Sequence, residues 1–347
     1  MLDIANGTHR PGPMSDNSQI RGEEAIIQGY LAPLAAGHPG AFGLQDDCAA
    51  LRPAPGCDFI VKTDPIAEGV HFLTGDAPED VAWKALAVNV SDLVAKGAEP
   101  RAYLMALSFP EAPARDWLQR FAGGLAEAQA AFGLSLVGGD TDRRPGPITI
   151  TVTVFGEAPT GRMIRRGTAR AGDLVCVTGS LGDAALGLEI VRSPGLADAL
   201  ALTPADAAYL VDCYRRPRPD LRLIAPLRAL ATAAMDISDG LVKDLGRMCR
   251  ASGVGAEIAF DQIPFSRAAE IVRKLQPDLF LARWSAGDDY RVLFAAPADR
   301  ATEIAGLRIG EHPFAAVIGR FTAGGAVTIS FRDGTPVPTA SQGWDHF

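Results

Sequence analysis

The chain has 347 residues, 48% hydrophobic and 21% charged, which supplies sizeable cores and excludes disorder over most of its length. A formal net charge of -8 excludes a general electrostatic pull toward nucleic acid or an anionic membrane, and no apolar run reaches the roughly 20 residues of a membrane span. Five cysteines without CxxC or His pairing fit reduced thiols in the cytoplasm better than a disulfide framework or a zinc site.

Residues 1–17, "MLDIANGTHRPGPMSDN", lack the apolar centre of a secretion signal and read as a flexible tail, with Met14 as an alternative start. "SQIRGEEAIIQGYLAPLA" then shows helical periodicity, with Ser18 as its cap. "DFIVKTDP" reads as a strand that ends at Asp64 and is broken by Pro65. In "DAPEDVAWKALAVNVSDLVAKGAEP", Asp76 is placed to cap a helix with Pro78 in its first turn. Val81, Ala85 and Val88 form the apolar stripe of that helix, and Gly97 marks its exit.

"LSLVGGD" looks like a buried strand ending in Gly138 and Gly139. "PITITVTVFG" alternates Ile148, Ile150, Val152 and Val154 with threonines, the pattern of a half-buried strand in an antiparallel or mixed sheet. Gly, Pro and Arg dominate 156–173, so the domain boundary is placed there. This gives a first domain of 18–158 and a second of 159–347 for a chain of this length. The second domain opens with strand "LVCVTG" and helix "LGDAALGLEIV", where Ser180 and Asp183 have capping-box spacing. A Pro/Arg-rich connection follows at 215–220, then strands around "AEIAF" and "YRVLFA". Interleaved helices and strands make the class α/β or α+β. "VNVSDLVAKG" and "MDISDGLVKDLG" hint at a faint internal duplication.

The carboxylates carry the functional signal. Asp46 and Asp47 precede an apolar run, Asp64 closes a strand, Asp92 sits within a helix three residues after Asn89, and Asp140 follows a diglycine. Asp236 and Asp239 flank Ser238 at an apparent helix start, and Asp288 and Asp289 precede a strand. Any one of them is explained by a cap or a turn. Together they lie at the ends of apolar segments, where sites are built on rigid scaffolds. Lysine is scarce near them in the sequence, and converging carboxylates need a countercharge. Oxygen ligands without nitrogen or sulfur select Mg2+, Mn2+ or Ca2+. Several such ions suggest a polyphosphate and hence a nucleotide. There is no GxxxxGK(S/T) loop, no protein-kinase signature and no GxSxG elbow, so neither a P-loop enzyme nor a covalent hydrolase is expected.

The phrases "DDCAAL" (46–51), "TDPIAEGVHF" (63–72), "WKALAVNVSDLVAKGAEP" (83–100), "LVGGDT" (136–141), "DISDGL" (236–241), "GDDY" (287–290) and "GWDHF" (343–347) occur in this order. Together they resemble the thiamine-monophosphate kinase family, in the superfamily that includes aminoimidazole ribonucleotide synthetase and selenophosphate synthetase. The resemblance implies a two-domain aminoimidazole ribonucleotide synthetase-like fold, a homodimer formed through the first domain, and ATP- and Mg2+-dependent phosphorylation of thiamine monophosphate. By match to the family motifs it implies metal positions at Asp47, Thr63, Asp64, Asp92, Asp140, Asp236 and Asp239. It implies ATP positions at Gly139, Arg166 and Ser238, and substrate positions at His71, Asp288 and Trp344. Three residues depart from the family pattern: Gln45 where Gly is usual, Asp288 where Glu is common, and Trp344 where Tyr is commoner. Another ATP-dependent member of the superfamily, or a nucleotide-binding protein without turnover, remain the alternatives at this level.

Overall fold

The computed structural model describes residue 20 and residues 22–338, which form two β-sheets around a shared buried helix. α1 (Glu23–Ile26) and α2 (Ala32–Ala35) flank a π-turn at Ile27–Leu31. The helical segment therefore starts at Glu23, behind a Gly22 with φ of 103°, and the expected cap Ser18 lies outside the described residues.

The first sheet contains β1 (Cys57–Ala67), β2 (Glu99–Phe109), β3 (Ser135–Arg143) and β4 (Thr149–Pro159), in the order β1-β4-β2-β3. β4 runs antiparallel to both its neighbours, while β2 and β3 are parallel. α3 (Pro78–Ala95) connects β1 to β2, and α4 (Arg115–Phe132) connects β2 to β3. Both helices pack on the face that carries Ile66, Met105, Val152 and Val154. β1 does not stop at Asp64. It continues through Pro65 because it is an edge strand of this sheet, the position that tolerates a residue without an N–H.

The second sheet follows the order β12-β7-β11-β5-β8-β6. Its strands are β5 (Leu174–Val177), β6 (Ala233–Ile237), β7 (Gly255–Ala259), β8 (Arg291–Ala296), β11 (Ala316–Thr322) and β12 (Val327–Ser330), while β9 (Arg308–Ile309) and β10 (His312–Pro313) form a separate small ribbon. Helices α5 (Asp183–Arg192), α6 (Leu196–Ala199), α7 (Pro204–Arg215), α8 (Ile224–Leu230), α9 (Leu241–Ser252), α10 (Arg267–Leu275), α11 (Pro277–Arg283) and α12 (Ala301–Gly306) surround it. Both sheets are mixed, and the chain is an α/β protein of the α+β kind.

Fifteen of the eighteen residues of α3 are buried, because the helix is covered on two sides. One side meets β1, β2 and β4, and the other meets β6, β8, α7 and α8. Strand alternation in the second sheet explains the second contact. Leu174, Cys176, Ala234 and Phe294 point into the core shared with α3, while Val175, Val177, Met235 and Leu293 point into a separate core on the far face. Asp76 does not cap α3; the N-cap is Ala77, without a side-chain bond. The Asp76 carboxylate instead accepts from the Leu73 N–H, from Arg215 Nε at 3.1 Å and from the Tyr214 hydroxyl at 3.3 Å, tying the start of α3 to α7. Ser180 and Asp183 also depart from the capping box. Their side chains bond to each other, and Gly182 occupies the N-cap of α5.

Leu86 lies at the centre of α3 and is fully buried. Leu86→Ala should cost about 2–5 kcal/mol of stability, read as a lower urea midpoint of unfolding. An unchanged midpoint would contradict the placing of α3 in a shared core.

Candidate active site

The site begins where β1 passes α3. Ile66 of β1 is buried in the core with α3, so strand alternation sends Lys62 and Asp64 to the same side and Thr63 to the other. Asn89 fixes the register: its Oδ1 accepts the Asp64 N–H at 2.9 Å, while its Nδ2 donates to the Ala85 carbonyl at 3.1 Å. One helical step further along α3 is Asp92. Lys62 Nζ lies 3.0 Å from Asp64 Oδ2 and 2.7 Å from Asp92 Oδ2, bridging the two carboxylates. Burial alone would lower the Lys62 pKa, but Asp92 and Asp64 outweigh it and raise the value above the usual lysine range. Burial raises the Asp64 carboxyl in spite of Lys62, and the charges of Asp92 and Asp239 add to that rise.

The second sheet brings the opposing acid. Asp236 follows Ala234 along β6 with a period of two and therefore faces α3. It is 5% exposed, and burial, with repulsion from Asp92, pushes its carboxyl well above the ordinary range. The chain then turns through Ser238, Asp239 and Gly240 into α9. Asp244, fully buried in the first turn of α9, accepts the N–H groups of Ser238 at 3.1 Å and Asp239 at 2.9 Å. Burial and the Asp239 charge push Asp244 up to about 6. Asp239 in turn pairs with Arg247 at 2.6 Å and Lys243 at 3.4 Å.

Two glycines press the "DISDGL" turn against the "GDDY" turn. Gly240 and Gly287 have φ of 108° and 97°. A Cβ on Gly240 would come within 2.1 Å of the Ser285 carbonyl oxygen, and one on Gly287 within 2.5 Å of that of Ser238. The turns are joined by Asp288 N–H to Ser238 O at 2.7 Å and Tyr290 N–H to Ile237 O at 2.8 Å. The adjacent acids of the second turn then diverge. Asp288 meets the buried Lys84 of α3 at 2.5 Å, and that ammonium lies 4.2 Å from the Tyr214 ring centre. Asp289 turns inward, accepting the Gly182 N–H at 2.8 Å, and its second oxygen has no hydrogen-bond partner. Burial pushes Asp289 well above the usual carboxylate range.

These elements enclose a cleft of about 480 Å³ between the two halves. Asp92 and Asp236 supply its acidic wall, Lys62, Lys96, Arg165, Arg166 and Arg247 its basic wall, and Ser238 lies between them. Cations are not scarce here, contrary to the expectation from sequence. Lys62, Lys84, Lys96, Arg247 and the buried Asp244 are not among the site positions that the sequence motifs imply. Lys62 had a signal, because it stands two residues before Asp64 on the same strand face.

Of the residues expected from sequence, Asp92, Asp236, Arg166 and Ser238 line the cleft, and Asp64 and Asp239 adjoin it through their ion pairs with the lining residues Lys62 and Arg247. Thr63 turns its side chain away, donating to Val152 O at 3.1 Å and accepting from Thr153 at 3.0 Å. His71 follows β1 and accepts the Ala67 N–H on Nδ1 at 3.1 Å, which leaves the proton of the neutral ring on Nε2. Asp140 is exposed on β3, at the sheet edge opposite β1. The pairing runs Asp64–Val152–Met105–Gly139, so Asp140 stands one residue beyond that rung and ~14 Å away across three strand spacings. Gly139 itself is required by packing, because a Cβ there would overlap the Met105 carbonyl oxygen. Asp47 is exposed in the loop after Leu44, beside residues that pack on Val137 of β3. Trp344 lies outside the described residues. Among the described residues, no three His, Cys, Asp or Glu side chains converge closely enough to hold a metal ion.

Comparison with known proteins agrees with this architecture. The family model for the N-terminal domain of AIR synthase related protein matches residues 45–158, and that for its C-terminal domain matches 170–332. Two mixed sheets around an acid-walled cleft thus define a member of the AIR synthase-related class. Thiamine-monophosphate kinase from Escherichia coli K12 is 39% identical over 332 residues, covering 94% of this chain and 98% of that protein. A crystal structure of thiamine-monophosphate kinase from Stenotrophomonas maltophilia K279a superposes with a TM-score of 0.76 at 35% identity, over 88% of this chain and 95% of that one. AaThiL complexed with AMPPCP and TMP superposes with a TM-score of 0.73 at 32% identity, over 89% and 97% respectively. The chain belongs to the thiamine-monophosphate kinase family.

Gly287→Ala should drive the two turns apart. The expected result is a loss of about 1–3 kcal/mol of stability, seen as a lower Tm together with reduced nucleotide binding; a wild-type Tm would show that the turns do not touch as described.

Proposed function

We propose that this chain transfers the γ-phosphoryl group of ATP to thiamine monophosphate, giving thiamine diphosphate and ADP. The observation that carries the reading is the cleft where Asp92 of the first half, with Asp64 joined to it through Lys62, meets Asp236 and Ser238 of the second. It occurs in a chain 39% identical, over nearly its whole length, to a thiamine-monophosphate kinase.

The acceptor oxygen of a phosphate is already anionic, so the chain needs no general base and no covalent intermediate. An oxygen of the substrate phosphate attacks the γ-phosphorus in line, the β–γ bridging bond breaks, and its electrons leave on ADP. The protein's task is to bring two anionic groups together and align them. Arg166 and Ser238 are assigned to the nucleotide phosphates, with Gly139 at the approach of the chain to ATP. His71 would donate from Nε2 to the substrate phosphate. Asp288, held against Lys84, would face the substrate cation, with Trp344 beside its ring.

The donor set fits Mg2+. All candidate ligands are hard oxygens, the Lys62 ammonium already sits as a cation between two of them, and Asp236 is buried against Asp92. Asp64, Asp92, Asp236 and Asp239 would hold the ions, whereas Thr63, whose side chain faces the other way, and Asp47 and Asp140, beside and on β3 at the far edge of the sheet, stand outside this set within one chain. When bound, Mg2+ supplies charge neutralisation on the phosphates and a fixed template for their alignment.

We assign a homodimer, supported by the first sheet's second face. Val61 there is 56% exposed beside Thr63, Thr153 and Phe155, and among the described residues the segment packed through Ala35 and Ala41 covers part of it. Five free thiols support a reducing, cytoplasmic setting, and no described helix is long and apolar enough to cross a membrane.

Purified protein given ATP, Mg2+ and thiamine monophosphate should yield thiamine diphosphate by mass detection, and Asp64→Asn should reduce the yield at least a hundredfold with an unchanged circular-dichroism spectrum. Product at the wild-type rate from that variant would remove Asp64 from the site. His71→Ala should raise the KM for thiamine monophosphate about tenfold and that for ATP little; the reverse order would overturn the role given to His71.

A further inference from the structure

We infer that Lys62 is a positioning residue of this site: its ammonium holds Asp64 and Asp92 together and competes with a divalent cation for them. The inference rests on the assignment of those two aspartates as metal ligands. Its ground is geometric. Lys62 Nζ makes contact ion pairs at 3.0 and 2.7 Å with carboxylates from two different elements, β1 and α3, and so sits between their oxygens. A divalent ion bound by oxygens at about 2.0–2.1 Å needs the same atoms and repels the ammonium.

The other cations of the cleft include two that are held elsewhere. Lys96 Nζ donates to the Ala234 carbonyl at 2.6 Å, and Arg247 is bound by Asp239 and Asp244 at 2.6 and 2.8 Å. Lys62 has a flexible four-carbon stem and one-third side-chain exposure, and it lines the same cleft as Arg165, Arg166 and Ser238. An ammonium displaced from Asp64 and Asp92 therefore stays within the cleft, where a phosphate would be its next partner. Lys62 thus weakens metal binding to the free protein and couples it positively to nucleotide, since each ligand frees what the other needs.

The test titrates Mn2+ into the chelator-treated, full-length protein by calorimetry without nucleotide. Lys62→Met should tighten Mn2+ binding at least fivefold, and Lys62→Arg, which keeps the charge, should stay within twofold of wild type. Lys62→Met should also have a lower Tm in chelator, and the gap should close at saturating Mn2+, when the metal replaces the lost cross-link. An unchanged or weaker Mn2+ affinity in Lys62→Met, or a Tm gap that persists in Mn2+, overturns the inference. Asp92→Asn separates the two levels. If it weakens Mn2+ binding while Lys62→Met has no effect, only the role of Lys62 fails. If neither variant alters binding, the metal assignment fails and this inference falls with it.

Discussion

Two carboxylates face one cleft across the seam between the sheets, Asp92 from α3 and Asp236 from β6, and burial together with the Asp92 charge holds the Asp236 carboxyl well above its ordinary range. Much of the architecture follows from satisfying this pair. Lys62 reaches Asp92 from β1, Lys96 and Arg247 stand in the same cleft, and the candidate metal and phosphate positions are those where more positive charge or its anionic partner would enter. A site organised this way is suited to gathering polyphosphate and cation together, and poorly suited to nucleophilic catalysis by a side chain.

The scaffold explains why such acids can be held. α3 is buried between two sheets, so its Asn89 and Asp92 are fixed by packing on both sides. The turns of the second half are equally constrained. Asp244 holds two N–H groups beneath the Ser238 turn, and Gly240 and Gly287 let that turn contact the next at van der Waals distance or closer. Asp288, the acid proposed to face the substrate, is anchored by an ion pair to Lys84 on α3. This anchor holds the Asp288 carboxylate against α3.

What was legible in the sequence was local. The alternation of 148–154 gave β4, and Pro78 and Gly97 bracketed α3 within a residue or two. The acids at the ends of apolar segments pointed to the cleft. Misreadings arose where a distant partner decided the outcome. Asp76 looks like a cap, but Arg215 and Tyr214 claim it; Pro65 looks like a stop, but an edge strand accepts it. The cations were missed for the same reason. Lys84 and Asp288 are separated by 204 residues, and no short-range pattern joins them. Asp140 is the converse case: its motif is recognisable, yet sheet order sets it at the far edge from Asp64.

The central claim is that acids from both halves share cations that carry a triphosphate. Anomalous diffraction from crystals grown with Mn2+ and a non-hydrolysable ATP analogue tests it most directly. The account predicts Mn2+ peaks within coordination distance of Asp64, Asp92 and Asp236, with Lys62 displaced toward the phosphates. Nucleotide bound with its Mn2+ ions away from all three aspartates would contradict it.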